Sequence, residues 1–190
     1  MNLNNVVISS VSVLNMGGTI LYPTDTIWGI GCDATNAAAV EKVYSIKGRD
    51  HSKSMLILCA GIEMVERYVA EVPPKVRLLL MANERPTTVI MPMTRNLLAS
   101  NLAAADGTIG VRIPHMEFCQ ALLTAFGKPL VSTSANLSGH PSPACFGDID
   151  KILLDCADFC VPKEYDTSRE TSSSRIVKCR GDGSVTVIRE

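Results

Sequence analysis

The chain has 190 residues, with 18 lysines and arginines against 19 aspartates and glutamates, and a formal net charge of −1 at pH 7. Hydrophobic residues make up 46% and charged residues 19% of the chain, a composition that excludes intrinsic disorder. The near-neutral charge excludes nucleic-acid binding by bulk attraction, so any site for a polyanion must be a local patch. At about 100–200 residues per domain, the length predicts one domain with its own core.

The sequence predicts a cytoplasmic protein. No segment reaches the roughly 18 apolar residues that a membrane span needs, and Met1 to Asn5 lack the basic start of a signal peptide. The seven cysteines are odd in number and scattered, unlike a disulfide framework. Cys156 and Cys160 lie close together, but without C-x-x-C spacing or a nearby histidine. We therefore expect buried free thiols and no metal site.

Short β-prone runs and helical patterns alternate along the chain. The first β-prone run follows Gly17-Gly18, and the first predicted helix has Thr35 or Asn36 as its N-terminal cap. Gly127 ends the last predicted helix. In chain order the predicted elements are strand 19–22, helix 37–47, strand 55–58, helices 62–69 and 74–83, strands 87–91 and 108–113, helix 116–126, strand 130–133 and strands 175–179 and 185–188.

This alternation predicts the fold class. Strands that alternate with helices are typical of a layered α/β domain. The last two strands flank Gly181-Asp182-Gly183, a turn sequence that predicts a hairpin and therefore an antiparallel part of the sheet. The predicted fold is an α/β domain with a mixed sheet and helices packed around it.

The first polar motif, residues 23–31, leaves the first predicted strand. Its proline and glycines predict a tight loop, and the hydroxyls of Thr24 and Thr26 lie at a strand end, where α/β folds bind ligands. A plain turn beside a buried Trp28 is an equally good interpretation.

A cluster of cations follows the first predicted helix, in Lys47-Gly48-Arg49 and at Lys53. An arginine offers a bidentate fork and a lysine a mobile point charge, and both suit a phosphate chain. The alternative is a solvated helix end whose cations favour the C-terminal dipole. The segment is not a Walker A loop, because Gly-x4-Gly-Lys-Ser/Thr is absent.

Another polar segment, residues 132–139, directly follows the strand predicted at 130–133. The hydroxyl of Ser134 and the amide of Asn136 can hydrogen-bond phosphate or ribose oxygens, and the alternative is a polar loop that caps a helix. A serine hydrolase is disfavoured, because Gly-x-Ser-x-Gly is missing and none of the three histidines has an obvious carboxylate partner.

In this order the three segments resemble the YrdC-like threonylcarbamoyl-AMP synthase family. The family's motifs stand here as Pro23 to Thr26, Lys47-Gly48-Arg49 and Ser134-Ala135-Asn136, with further matches at residues 111–114 and 136–142. The match runs from about residue 17 to residue 143, with a weaker tail to residue 189.

The chain departs from the family's pattern in three places. Ser54 replaces a proline, residues 85–88 replace a Gly-Pro-x-Thr turn, and Ser173-Ser174 replaces Ser-Thr. None of these departures removes a charge that the chemistry needs. They leave room for a paralogue of the same fold with another substrate.

The resemblance implies an open, twisted mixed sheet with a positive concave surface, in one domain that covers residues 1–190. It implies the short form of the family, which makes threonylcarbamoyl-AMP and pyrophosphate from L-threonine, bicarbonate and ATP with Mg²⁺ for the threonylcarbamoyladenosine base of tRNA. A separate threonylcarbamoyl transferase complex takes the product, and some members bind structured, double-stranded RNA.

By position in the motifs, the resemblance also assigns the site. Lys47 and Arg49 are the expected catalytic cations. The expected ATP contacts are Lys47, Arg49, Lys53, Thr108, Ser134, Asn136, Ser142 and Arg189. The expected threonine contacts are Thr26, Arg112, Ser132 and Ser174. Two alternatives stay open: an RNA- or nucleotide-binding module without synthase activity, and a carbamoyl-transfer or hydrolase relative.

Overall fold

The computed structural model describes residues 2–82, 84–94, 97–168 and 172–190. Its helices are α1 (Leu3–Asn15), α2 (Ala37–Lys47), α3 (Ile62–Tyr68), α4 (Pro74–Met81), α5 (Glu117–Phe126) and α6 (Lys151–Cys156), with short 3-10 helices at Phe146–Asp148 and Lys163–Tyr165. Its strands are β1 (Ile20–Tyr22), β2 (Gly29–Gly31), β3 (Leu56–Leu58), β4 (Thr87–Pro92), β5 (Thr108–Arg112), β6 (Leu130–Ser134), β7 (Phe159–Cys160), β8 (Arg175–Cys179) and β9 (Val185–Arg189).

Within the described residues the strands form one mixed sheet in the order β7-β1-β2-β6-β3-β5-β4-β8-β9. Three neighbouring pairs are parallel: β1 with β7, β3 with β5, and β4 with β8. The other pairs are antiparallel, including the closing hairpin of β8 and β9. The sheet is open, because β7 and β9 are edge strands.

The two faces of the sheet are covered to different extents. On one face, α2, α3, α4 and α6 pack over inward residues such as Ile57, Val111 and Val131. On the other face, α1 and α5 pack over Tyr22, Leu58 and their neighbours at one end of the sheet. The second face therefore stays open over β3, β5, β4 and β8, and this open half holds the site.

Helix α2 begins and ends where its sequence places caps. The Asn36 side chain accepts hydrogen bonds from the amides of Ala38 and Ala39 at 3.0 and 3.2 Å, and so begins α2. Gly48 ends α2 with φ of 56°, in the left-handed region that favours glycine. This turn sends Arg49 away from the helix axis toward the open face.

The structure confirms each predicted strand and helix, with bounds that differ by one or two residues. The predicted end of the helix at 74–83, Asn83, lies outside the described residues. The sequence did not predict α1, α6 or β7. The expectation of a tight loop over residues 23–31 was wrong at its end, because β2 forms there between β1 and β6. Backbone pairing on both sides outweighs the low strand propensity of Gly-Ile-Gly.

The cysteines are free, and their burial varies. Cys32, Cys59 and Cys119 are buried as predicted, whereas Cys145 and Cys156 are exposed, so the prediction of burial was wrong for these two. Both lie next to short helices near the surface. None of the helices in the described ranges is long and apolar enough to cross a membrane.

Close approach of the backbones explains the glycines of β2. A Cβ built on Gly31 would lie 2.0 Å from the Val131 carbonyl oxygen, and one on Gly29 would lie 3.2 Å from Ser132 Oγ. A real Cβ cannot occupy the first position without separating β2 from β6. The two central strands therefore pair closely because β2 carries glycine.

We expect Gly31→Ala to lower the free energy of unfolding by about 1–3 kcal/mol, the usual range for overpacking. The matched control is Gly181→Ala, since a Cβ at Gly181 would meet nothing within 4 Å. That control should change stability by less than about 0.5 kcal/mol. Urea unfolding of both variants measures the difference, and equal stability of the two would contradict the close approach of β2 and β6.

Candidate active site

A cavity of about 600 Å³ lies on the open half of the second face. The strand residues that line it alternate with core residues of the same strands, so that Leu56, Gly110 and Ser132 face the cavity while their neighbours Ile57 and Val111 face the core. The polar residues of the lining are Thr24, Thr26, Arg49, Ser54, Thr88, Asp106, Thr108, Arg112, Ser132, Thr133, Ser134, Ser173, Ser174, Lys178 and Arg189.

One corner of the cavity is built around a buried arginine. The Arg112 side chain, 5% exposed, donates from Nη1 to Thr26 Oγ1 at 2.9 Å, and its Nη2 lies 3.3 Å from Asp25 Oδ1. The other carboxylate oxygen of Asp25 accepts from the His115 amide at 3.1 Å. Among the described residues, no group hydrogen-bonds Arg112 Nε. The guanidinium therefore keeps donors for a ligand in the cavity.

A buried ammonium joins the second and third family motifs. Lys47 is 1% exposed, and its Nζ donates to the carbonyls of Ser134 and Asn136, each at 2.5 Å. A backbone hydrogen bond joins the same two segments, since the Ser138 amide donates to the Lys47 carbonyl at 2.8 Å. Burial, with a smaller contribution from the Arg49 guanidinium, lowers the pKa of Lys47 to about 8.

Arg49 closes the loop that follows α2. Its Nε donates to the Lys53 carbonyl at 2.9 Å and its Nη2 to the Ser54 carbonyl at 2.8 Å. The Arg49 amide also donates to the Tyr44 carbonyl at 3.0 Å, which completes the end of the helix. The interpretation of this segment as a freely solvated helix end is therefore wrong for Arg49, whose guanidinium lines the cavity.

The opposite wall comes from strands that are distant in sequence. The hydroxyls of Thr88 and Ser174 lie 2.8 Å apart, and Arg189 Nη2 donates to the Ser174 carbonyl at 2.7 Å. Asp106 accepts from Thr108 Oγ1 at 2.6 Å and pairs with Lys178 Nζ at 2.8 Å. These contacts hold the hydroxyls and cations of β4, β5, β8 and β9 along one wall.

The structure brings most of the predicted site residues together. The predicted residues that line the cavity are Thr26, Arg49, Thr108, Arg112, Ser132, Ser134, Ser174 and Arg189. Lys47 and Asn136 lie directly behind this lining. The side chains of Lys53 and Ser142 do not line the cavity, and both residues are exposed. Lys53 contributes its carbonyl, as the acceptor for Arg49.

Sequence reasoning missed several lining residues, among them Thr88, Asp106 and Lys178. Asp106 had a local signal, because its carboxylate accepts from the Thr108 amide at 3.1 Å, as aspartates in turns commonly do. Lys178 had a weaker one, since it shares the alternating face of β8 with Ser174 and Ile176. No local signal predicts that the two residues pair, because Asp106 lies just before β5, Lys178 lies in β8, and β4 separates these strands in the sheet.

The charge of the lining fits an anionic ligand. Its charged side chains within the described residues are the cations Arg49, Arg112, Lys178 and Arg189 and the carboxylate Asp106. Cations that converge on a concave surface concentrate anions there. The fold and the cavity together define an α/β protein with a largely cationic cavity on the open half of its sheet.

Comparison with known proteins identifies the family. The sequence profile of the Sua5/YciO/YrdC family, described as telomere recombination, matches residues 12–190. The chain belongs to this family. A threonylcarbamoyl-AMP synthase of Xanthomonas axonopodis pv. citri (strain 306) is 35% identical over 158 residues, which cover 82% of this chain and 84% of that relative.

Two solved structures share the fold over the whole chain. Sua5 of P. abyssi, complexed with L-threonine, superposes with a TM-score of 0.89 at 22% identity, over 100% of this chain and 54% of that one. YciO of E. coli superposes with a TM-score of 0.81 at 26% identity, over 100% of this chain and 90% of that one. The chain thus spans about half the length of the P. abyssi protein and most of the E. coli one.

The environment of Lys47 makes a titration testable. We expect its amine to lose its proton near pH 8, because burial disfavours the charged form. Between that pH and about 10.4 the unfolded chain binds more protons at this site than the folded protein, so Lys47 adds to stability as the pH rises.

Lysine-selective NMR measures this titration. The resonance that titrates near pH 8 should vanish in Lys47→Met and should move to higher pH in Arg49→Gln, which removes the neighbouring cation. If all lysines titrate above about pH 10, the ammonium is better solvated than its contacts indicate.

Proposed function

We propose that this protein is an L-threonylcarbamoyladenylate synthase, a nucleotidyltransferase that makes threonylcarbamoyl-AMP and pyrophosphate from L-threonine, bicarbonate and ATP. One observation carries the proposal: the buried corner of Arg112 and Thr26 opens into the same cavity as the cations Arg49, Lys178 and Arg189. The synthase name of a relative that is 35% identical supports the same reaction.

The amino-acid subsite of the proposed enzyme lies at the Arg112 corner. Arg112 clamps the threonine carboxylate through parallel hydrogen bonds, one of them from Nε, which has no hydrogen-bond partner among the described residues. Thr26, Ser132 and Ser174 surround this corner and supply polar groups for the amine and the hydroxyl. The corner is nearly closed to water, which strengthens each of these contacts.

The ATP subsite of the proposed enzyme occupies the wider part of the cavity. Arg49 and Arg189 offset the charge of the phosphates, with Thr108 and Ser134 as hydroxyl donors. Lys47 and Asn136 act from behind, by fixing the segment that carries Ser134. Lys53 and Ser142 remain proposed contacts at the exposed rim, from their positions in the motifs.

The chemistry follows from the charges. The neutral amine of threonine attacks the carbon of bicarbonate, and loss of water leaves a carbamate. A carbamate oxygen then attacks the α-phosphorus of ATP, the bond from that phosphorus to the bridging oxygen breaks, and pyrophosphate leaves. Since two anions must approach each other, Lys47 and Arg49 serve catalysis by lowering their repulsion, and positioning supplies the rest.

Mg²⁺ enters this proposal as part of the MgATP substrate. Asp106 is the carboxylate among the described lining residues, and it is already bonded to Lys178 and Thr108. Such a donor set fits a metal held mainly by phosphate oxygens and water. The protein's own task is to hold the phosphates to which the metal is bound.

The proposed activity places the protein in tRNA modification in the cytoplasm, as one YrdC-like domain over residues 1–190. Its product is an unstable mixed anhydride, so a separate transferase complex must consume it. Binding of structured RNA belongs to the proposal as a secondary property, since the convergent cations of the cavity suit a phosphate backbone as well as a triphosphate.

The direct test is pyrophosphate release by purified protein with ATP and Mg²⁺. We expect release that depends on both L-threonine and bicarbonate, with formation of an AMP adduct detected by mass spectrometry. Omission of either substrate is the control. Release that is equal without threonine, or RNA binding with no release at all, would overturn the synthase proposal in favour of a relative or a binding module.

The amino-acid subsite predicts an order of substrates. Valine matches the shape of threonine but leaves the buried partner of the hydroxyl unsatisfied, so it should be rejected strongly. Serine lacks one methyl group and should lose about 1–3 kcal/mol. We therefore expect kcat/KM to fall from threonine to serine to valine.

Kinetics with the three amino acids measure this order, and Arg112→Lys is the matched variant. A lysine keeps the charge and loses the fork, so it should impair all three substrates together. If valine is used as well as serine, Thr26 does not recognise the substrate hydroxyl.

A further inference from the structure

The connection from β7 to β8 crosses the molecule beside the cavity. These strands are consecutive in sequence, yet β7 is one edge of the sheet and β8 lies next to the opposite edge. Residues 161–168 are the described first part of this connection, and they pass alongside the loop of residues 24–28, which carries Thr26.

Asp166 joins the connection to this loop by a hydrogen bond. Its Oδ2 accepts a hydrogen bond from Trp28 Nε1 at 2.7 Å, and its Oδ1 accepts from the Ser168 amide at 3.3 Å. Ser168 Oγ donates in turn to the Thr26 carbonyl at 3.3 Å. The carboxylate and the serine therefore hold the loop at two points, one on each side of Ile27.

Trp28 in turn contacts other parts of the site. Its side chain is 2% exposed and meets the Phe146 ring edge-on, with the ring centroids 5.0 Å apart. Its carbonyl accepts from the Ala135 amide at 2.9 Å, in the motif that also carries Ser134. A buried indole N–H that loses its acceptor is unfavourable, so the loop would have to rearrange to satisfy it.

Hydrogen bonds within the loop connect the backbone next to Trp28 to Thr26 and Arg112. Within the loop, Thr24 Oγ1 donates to the Ile27 carbonyl at 2.7 Å and lies 2.9 Å from Thr26 Oγ1. Thr26 Oγ1 is the acceptor for Arg112. A displacement of residues 26–28 would therefore move the hydroxyl that orients the guanidinium.

We propose that Asp166 is a positioning residue of the amino-acid subsite, which holds Thr26 and Arg112 in place through the indole of Trp28. This inference rests on the proposed function for the identity of the ligand at that corner. Asp166 does not line the cavity, so its effect is indirect. It should alter affinity for the amino acid and leave the nucleotide contacts of Arg49 and Arg189 in place.

The same segment supplies a matched control. Asp158 precedes β7 and accepts from the Thr19 amide at 2.7 Å and from Thr19 Oγ1 at 3.0 Å. It thus anchors the segment to β1 with a similar pair of hydrogen bonds, but away from the cavity lining. A variant without the Asp158 carboxylate therefore loses a structural anchor of this segment and keeps the contacts of the amino-acid subsite.

The experiment titrates L-threonine and ATP separately into wild-type protein, Asp166→Ala, Trp28→Phe and Asp158→Ala by calorimetry, with Tm measured for each. We expect Asp166→Ala to raise the Kd for threonine about tenfold, as for loss of one charge-assisted hydrogen bond, and to leave the Kd for ATP nearly unchanged. Trp28→Phe removes the N–H donor together with part of the ring of this buried, cavity-lining residue, so it should shift the threonine Kd in the same direction even if Asp166→Ala does not fold.

Two further readouts separate positioning from stability. The double variant should bind threonine no more weakly than the worse single variant, because both changes remove the same hydrogen bond. Trp28 is the single tryptophan of the chain, so its fluorescence should change on threonine addition in the wild type and require more threonine in Asp166→Ala. Asp158→Ala should lower Tm and leave the threonine Kd unchanged.

The outcomes are distinct. If Asp166→Ala and Asp158→Ala lower Tm alike and neither changes the threonine Kd, Asp166 is only structural and the inference is overturned. If folded wild-type protein does not bind threonine at all, the proposed function itself fails, and the inference falls with it.

Discussion

One buried ammonium group ties the two sides of the cavity together. Lys47 Nζ, at the end of α2, donates to two carbonyls in the segment that follows β6. Burial of a cation is costly, and backbone carbonyls that are already fixed by a strand end are suitable partners, since they lose little freedom on binding it. This contact fixes the position of Ser134, whose side chain belongs to the cavity lining, relative to the end of α2.

The second constraint is the incomplete cover of the sheet. Where α1 and α5 lie on the second face, the strands present large apolar residues such as Leu58 and Leu130. Away from α1 and α5, the same face presents small or polar residues such as Gly110 in β5, Ser132 in β6 and Ser174 just before β8. On this face, the apolar core and the binding surface therefore lie only a few residues apart along a strand such as β6. The β2 glycines keep β2 and β6 close enough to form that surface.

The sequence predicted the elements with clear local signals and missed those that depend on distant partners. Helix α2 was predicted because an apolar pattern follows a cap at Thr35 or Asn36, whereas β2 is a strand only because β1 and β6 pair with it. Helix α1 did carry a pattern, with Val6, Ser10 and Leu14 buried on one face. Motifs likewise predicted Arg49 and Arg112. Contacts such as Asp106 with Lys178 require the order of strands in the sheet, which no local pattern encodes.

The crossing from β7 to β8 has a consequence for folding during synthesis. Trp28 and Asp166 are separated by 138 residues, so at about 5–20 residues per second the indole leaves the ribosome roughly 7–28 s before its acceptor. The cavity wall from β8 and β9 is made after the other walls of the cavity. Until then β4 has no partner on one side, and contacts of such long range slow folding. Nascent chains therefore remain without a complete cavity until β8 and β9 have been synthesised.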